Sequence, residues 1–264
     1  MENENKIRRK IVLVDDVSFY LVTTRQRLKK YYEVYTAQTD EELFELLART
    51  KPDLILLDIY MPNVDGFEII KKLKADRVYA DIPVIFLTSK NDRKSLGEAL
   101  NLGAVDFVRK PFTDDALVES IEYHFDPEVR ERNKPVILAV DDNQSVLKSV
   151  KALLGRDYTI YTLPQPERLE ELLSMTTPDL FLLDCKMPVL NGFDLIPIIR
   201  KLPIHAETPI VFLSSENTID TISTAIHFGA CDFITKPIDE TVLREKISKH
   251  LKNYIMWRRI RAIK

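Results

Sequence analysis

The sequence predicts two α/β domains in tandem, each built on a doubly wound parallel sheet. Three observations carry that expectation. A set of polar residues recurs at one fixed offset: Asp15, Asp16, Asp58, Thr88 and Lys110 are each matched 126 residues later by Asp141, Asp142, Asp184, Ser214 and Lys236. Short apolar runs alternate with helical patterns in both halves. Every residue of the repeated set follows one of those runs, so the set collects at one sheet edge. A repeat this long means two complete domains rather than a solenoid, and 264 residues leave each copy room for its own core.

The runs of the first copy lie at 11–14, 34–36, 54–57, 84–87 and 105–108. Several are apolar without alternation, as in strands covered by helices on both faces. Between them, Leu43, Leu46 and Leu47 form one helical stripe and Phe67, Ile70 and Leu73 another. Leu169, Leu172, Leu173 and Phe193, Ile196, Ile199 repeat these stripes. Five βα units per copy are the expected wiring. Pro197 falls inside the third helical pattern of the second copy, where a kink or a distorted turn is expected, because proline removes an amide donor and crowds the preceding turn. The first domain is expected over 7–125 and the second over 135–251. The charged segment 126–134 is either a linker or a continuation of the preceding helix, and 252–264 is a basic helical extension.

Composition narrows the function classes. Charged residues make up 30% and hydrophobic ones 45%, and the net charge of −3 offers no global basic field for nucleic acid. Cys185 and Cys231 sit in no metal-binding spacing and suggest no disulfide framework. The N-terminal residues lack the apolar core of a signal peptide, and no apolar run reaches the roughly 18–20 residues of a membrane helix. A cytoplasmic protein without membrane contact is expected.

The repeated set has a chemistry. Ligands of an open parallel sheet gather beyond the carboxyl ends of its strands. Three carboxylates converging there repel one another unless a cation sits among them, and hard oxygen ligands at an open site suit Mg2+. A lysine opposite the metal balances the charge of a phosphoryl group, and a small hydroxyl hydrogen-bonds one of its oxygens. Phosphoryl transfer is mainly positioning and charge neutralisation, so the central acid, Asp58 or Asp184, is the candidate nucleophile.

Both halves resemble the receiver domain of two-component response regulators. The residues that carry the resemblance are VDD at 14–16 and 140–142, and LLDIYMPNVDGFE at 56–68 with LLDCKMPVLNGFD at 182–194. PVIFLTS at 83–89 pairs with PIVFLSS at 209–215, and GAVDFVRKPF at 103–112 with GACDFITKPI at 229–238. The resemblance implies a flavodoxin-like five-stranded sheet of order 2-1-3-4-5 in each domain. It implies that Asp58 and Asp184 accept phosphate from a histidine kinase or a phosphotransfer protein. It also implies Mg2+ held by Asp15, Asp16, Asp58 and the Tyr60 carbonyl, and by Asp141, Asp142, Asp184 and the Lys186 carbonyl. Thr88 and Ser214 then serve as switch hydroxyls, Lys110 and Lys236 as the phosphate-binding lysines, and Phe107 and Phe233 as switch aromatics. Lys90 and Glu216, two residues beyond the hydroxyls, are expected on the pocket rims.

The last helix is expected to start at an Asp239 cap and to run through Leu243, Ile247, Leu251 and Trp257, with Arg258, Arg259, Arg261 and Lys264 interleaved. No output enzyme is expected in this chain, because no cyclase or phosphodiesterase motif is present. The expected readout is a partner, an output domain or a homodimer through the second domain. That dimer face is drawn from Ile219 and Ile222, where the first copy has Arg93 and Leu96. One rival within this reading is the regulatory part of a cyclic-dinucleotide enzyme. A rival of another class is a Mg2+-dependent phosphatase of small esters, whose common type has a second Asp two residues after the nucleophile; here that place holds Tyr60 and Lys186. A flavin site calls for a loop rich in Ser, Thr or Gly after the first strand, where this chain has Asp-Asp.

Overall fold

Parallel strands need crossover connections, and the alternation of apolar runs with amphipathic stretches supplies them. The computed structural model describes residues 8–62, 65–89, 93–215 and 225–262, without the side chains of 93–96, 256 and 259–262. These residues divide into two compact units, one of residues 8–130 together with 259–262 and one of residues 131–258.

The first unit runs β1 (Lys10–Val14), α1 (Ser18–Leu28), β2 (Glu33–Ala37), α2 (Asp40–Thr50), β3 (Leu54–Asp58), α3 (Gly66–Ala75), β4 (Val84–Thr88), α4 (Arg93–Asn101), β5 (Asp106–Arg109) and α5 (Asp114–Phe125). Its strands form one parallel sheet of order β2-β1-β3-β4-β5, the expected order. The central strands β3 and β4 are buried along their whole length, which is why they read as unbroken apolar runs. Ile11, Leu13, Leu54, Leu56, Ile85 and Leu87 face one layer of helices, with Leu117 and Ile121 of α5 closing over them. A short helix, α6 (Pro127–Arg132), follows α5.

The second unit runs β6 (Val136–Val140), α7 (Gln144–Leu154), β7 (Thr159–Leu163), α8 (Leu169–Leu173), β8 (Leu180–Asp184), α9 (Gly192–Arg200), β9 (Ile210–Ser214), β10 (Asp232–Thr235) and α10 (Glu240–Ala262). Its sheet is again parallel, in the order β7-β6-β8-β9-β10. The expected dimer-face residues Ile219 and Ile222 lie outside the described residues, as do the side chains of Arg93 and Leu96.

Two helices depart from a simple copy. In α2, Thr39 caps the first turn through Glu42 N at 3.2 Å, three acidic residues follow, and the helix spans 11 residues. The matching segment of the second unit carries Pro164 and Pro166. Proline withholds backbone donors there, and the chain makes a 3-10 turn at Pro166–Arg168 before an α8 of only five residues. Pro197, by contrast, sits inside α9 without ending it: its carbonyl still accepts from Lys201 N at 3.0 Å. At the last helix, Asp239 Oδ1 accepts from Val242 N at 2.9 Å, the cap read from the sequence.

Candidate phosphoryl-transfer sites

Each site is assembled where β-strands end and the chain turns into the next connection. In the first unit, Asp15 and Asp16 follow β1, Asp58 ends β3, Thr88 ends β4 and Lys110 follows β5. Lys110 N donates to the Thr88 carbonyl at 2.7 Å, which sets the lysine beside the hydroxyl-bearing strand. Asp15, Asp58, Thr88 and Lys110 are all buried. The Lys110 ammonium pairs with Asp15 Oδ2 and with Asp58 Oδ2, the latter at 2.9 Å. Asp15 spends its other oxygen on Val17 N at 3.0 Å, which pins the loop after β1.

The second unit repeats the arrangement. Lys236 Nζ lies 2.7 Å from Asp141 Oδ2 and 2.8 Å from Asp184 Oδ1. Asp141 Oδ1 accepts from Asn143 N at 2.9 Å, and Lys236 N donates to the Ser214 carbonyl at 2.7 Å. In each unit the three acids offer carboxylate oxygens within 4.8 Å of one another: Asp15, Asp16 and Asp58 in one, Asp141, Asp142 and Asp184 in the other.

The electrostatics explain why such a cluster wants a cation. Burial pushes the Asp58 carboxyl above its ordinary range and Asp15 adds to the rise, while Lys110 and a hydrogen bond from the Tyr60 backbone pull against it. At Asp184, burial again leads the rise, Lys236 opposes it, and Asp141 and Asp142 reinforce it. For Lys236 itself, burial disfavours the ammonium, but its bonds to Asp141 and Asp184 outweigh that and raise its pKa. Asp58 and Asp184 are thus each a buried carboxyl whose raised pKa is opposed by one lysine and reinforced by neighbouring acids.

Two glycines place Asp58 and Asp184, and the sequence reading did not single them out. A Cβ on Gly66 would stand 2.4 Å from the Asp58 carbonyl oxygen, and one on Gly192 would stand 2.2 Å from that of Asp184. The N-termini of α3 and α9 therefore approach the acceptor strands more closely than any side chain permits. The signal was present, since both glycines recur at the same offset as the acids. Side-chain caps from Asp65 on Phe67 N (3.0 Å) and from Asn191 on Phe193 N (2.9 Å) fix those helix starts.

The structure also places the remaining candidates. Phe107 and Phe233 lie buried on β5 and β10, beside the strands that end in Thr88 and Ser214. Tyr60 and Lys186 sit two residues past the acceptors, half-buried and exposed respectively. Lys90 and Glu216 fall outside the described residues. One contact was not anticipated: the Tyr20 ring of α1 stands over the Lys110 ammonium, 4.4 Å from centroid to nitrogen.

The model of the response regulator receiver domain matches twice, over residues 11–122 and 137–248. The response regulator PleD of Caulobacter vibrioides is 26% identical over 92% of this chain and 59% of its own length. A protein of Vibrio cholerae named as a probable cyclic di-GMP phosphodiesterase is 35% identical over 50% of this chain and 29% of its own. The structure of the chemotaxis protein CheY4 of Vibrio cholerae, 24% identical, covers 44% of this chain and 98% of that one at a TM-score of 0.43. The chain thus spans 59% of the length of PleD. No described helix is long and apolar enough to cross a membrane. With both matches falling on the two sheets that carry the paired acids and lysines, the chain belongs to the response regulator receiver domain family, as a tandem of two receivers.

Proposed function

We propose that each receiver takes a phosphoryl group on its central aspartate, Asp58 or Asp184, from the phosphohistidine of a kinase or phosphotransfer protein. The observation that carries the reading is the lysine bridging two buried carboxylates at both strand edges. Asp15, Asp16 and Asp58 in the first unit, and Asp141, Asp142 and Asp184 in the second, are the residues that would hold Mg2+, with the Tyr60 and Lys186 carbonyls as further ligands. When bound, Mg2+ neutralises charge on the transferring group. The acceptor carboxylate attacks phosphorus, and the bond to the donor nitrogen breaks with its electron pair returning to the donor. Lys110 or Lys236 then exchanges its central aspartate for a phosphoryl oxygen, and Thr88 or Ser214 donates to another. Phe107 and Phe233 follow the hydroxyl inward, which biases a neighbouring surface between two states. Residues 7–125 and 135–251 serve as the two receivers, 126–134 as the connection and 252–264 as an extension toward a partner.

The test is intact-mass measurement after incubation with Mg2+ and acetyl phosphate. Wild type should gain up to two phosphoryl groups, and Asp58→Ala and Asp184→Ala one each. No gain in folded wild type would overturn the reading. A second reading makes these receivers the regulatory part of a cyclic-dinucleotide enzyme, favoured by the relation to the Vibrio cholerae protein. It predicts an open reading frame that continues past Lys264 into a catalytic domain.

A further inference from the structure

The two pockets share their acids, hydroxyl position and lysine, and differ in Tyr60 against Lys186 and in what covers the lysine. In the first, the Tyr20 ring lies over the Lys110 ammonium at 4.4 Å from its centroid, well inside the range of a cation–π contact. The residue at the same position of α7 is Val146, which has no ring to offer. The lysines differ accordingly: the Lys110 side chain is 6% exposed and that of Lys236 is 19% exposed. Tyr20 itself is 37% exposed, so its ring lies between the buried ammonium and solvent. Phe19 packs against Tyr20 edge-on at 6.0 Å and limits where the ring can swing.

Resting on the receiver reading above, we infer that Tyr20 is a positioning residue that holds Lys110 at the phosphoryl site, excludes water there, and makes phosphoryl-Asp58 longer-lived than phosphoryl-Asp184. The step it slows is hydrolysis. A water oxygen bonds to phosphorus, and the bond between phosphorus and the Asp58 carboxylate oxygen breaks with its electron pair going to the carboxylate. The water protons leave on inorganic phosphate. Attack requires a water beside the phosphoryl group, and a lysine free to shift admits one. A ring on the ammonium restrains the cation and occupies the space next to it. The ring face, not the phenol hydroxyl, does this, so phenylalanine should substitute for tyrosine.

The experiment uses the full chain in two backgrounds, Asp184→Asn to read the first pocket alone and Asp58→Asn to read the second. Each is phosphorylated with acetyl phosphate and Mg2+, desalted, and followed by intact mass as the phosphoryl group is lost. Tyr20→Val should speed loss from Asp58 about threefold to tenfold, the span of a partly desolvated cation–π contact. Tyr20→Phe should stay near wild type, and Val146→Tyr should slow loss from Asp184. A second readout needs neither metal nor phosphate: the ring current of Tyr20 should displace the Lys110 Cε–Hε resonance, and this displacement should vanish in Tyr20→Val and persist in Tyr20→Phe. Because valine is what the second copy already carries at this place, loss of fold is not the expected result, and the NMR spectrum would report it. An unchanged rate in Tyr20→Val overturns the inference, as does Tyr20→Phe behaving like Tyr20→Val. Absence of any phosphoryl uptake at Asp58 in the Asp184→Asn chain overturns the receiver reading and this inference with it, whereas uptake with an unchanged decay rate sinks this inference alone.

Discussion

The two receivers agree in their pocket acids, hydroxyls and lysines and diverge at the opposite edge of the sheet and along their first helices. At that far edge the first unit uses a lysine: Lys74 Nζ donates to the carbonyls of Ala80 at 2.7 Å and Ile82 at 2.8 Å. The second uses Arg200 on the carbonyls of His205 at 2.6 Å and Thr208 at 2.8 Å. There the likeness stops. Thr208 continues into a buried network with His205 at 3.1 Å and with Tyr254 of α10 at 2.9 Å. Trp257 of the same helix donates to Glu207 at 2.9 Å, and Arg258 pairs with the buried Asp179. Thus α10, 23 residues against 12 for α5, is fastened to the start of its own sheet by Tyr254, Trp257 and Arg258. In the first helices the contrast reverses. Val17, Phe19, Tyr20 and Val22 of the first unit are exposed, where the second has Asn143, Ser145, Val146 and Lys148. Chemistry held the pockets alike, and the surfaces were free to specialise.

The largest expected effect tests the shared part. Gly66→Ala and Gly192→Ala each force a methyl against a backbone carbonyl, and Gly192→Ala also meets Phe212 Cε1 at 2.7 Å. Overpacking of this kind costs about 1–3 kcal/mol, and backbone contacts put it at the upper end. Hydrogen exchange on the intact chain should show each substitution loosening its own unit, Gly192→Ala more than Gly66→Ala. Equal protection in wild type and variants would mean that the helix starts do not depend on that approach.

Next in size is the latch on α10. Arg258→Ala leaves the buried Asp179 carboxylate with the hydrogen bond from Val136 N, at 2.9 Å, but without its cation. Its counterpart Asp53 pairs with Arg9 at 3.1 Å in a more open setting. Arg258→Ala should destabilise the second unit by about 1 kcal/mol, and Arg9→Ala the first by less than about 0.5 kcal/mol, as exposed pairs do. Urea unfolding followed by exchange mass spectrometry separates the two. A larger loss from Arg9→Ala would reverse the contrast drawn here.

These contrasts also show what the sequence made legible. The repeated acids, hydroxyls and Lys-Pro pairs were visible because strand ends and chemistry coincide: each follows an apolar run, and period alone puts them on one edge. The strand order followed from that motif set and not from periodicity. What escaped were contacts between elements far apart in the chain. Nothing in the spacing says that Tyr20 meets Lys110, or that Tyr254 meets Thr208. The tail read as a basic helical extension, whereas Arg258 has a specific carboxylate partner. The shortening of α8 was legible in Pro164 and Pro166, but the leucine stripe at 169–173 masked it.

A smaller effect separates Asp58 and Asp184 from ordinary buried acids. A carboxyl whose folded pKa is raised loses stability as pH climbs from its unfolded to its folded value, so ionising Asp58 and Asp184 costs stability. Asp58→Asn and Asp184→Asn mimic the protonated form. In Mg2+-free buffer at pH 7 each should raise the melting temperature by a few degrees, about 1 kcal/mol or less. Added Mg2+ should narrow the gap, because a cation among the acids stabilises the wild type and not the variants. A lower melting temperature in both variants would show that the lysine bridges outweigh the burial they oppose.

The smallest effect lies at the start of β10 and has the opposite sign. Asp232 bonds Lys246 Nζ at 2.6 Å and His250 Nε2 at 2.8 Å, where its counterpart Asp106 accepts from Ser120 Oγ at 2.8 Å. Burial raises the Asp232 carboxyl, but Lys246, His250 and the Phe233 N–H together lower it below the usual range. A depressed carboxyl contributes stability above its unfolded pKa, near 4, and loses it as pH falls through the folded value. Between pH 6 and pH 3 the second unit should therefore lose protection that Asp232→Asn never had. The site is partly exposed, so screening keeps the difference below about 1 kcal/mol. Exchange measured at pH 6, 4.5 and 3 in wild type and Asp232→Asn isolates this contribution from the acceptors, whose protonation over the same range acts the other way. If the two proteins lose protection in parallel, the Lys246–Asp232–His250 cluster is not what distinguishes the acid response of the second receiver.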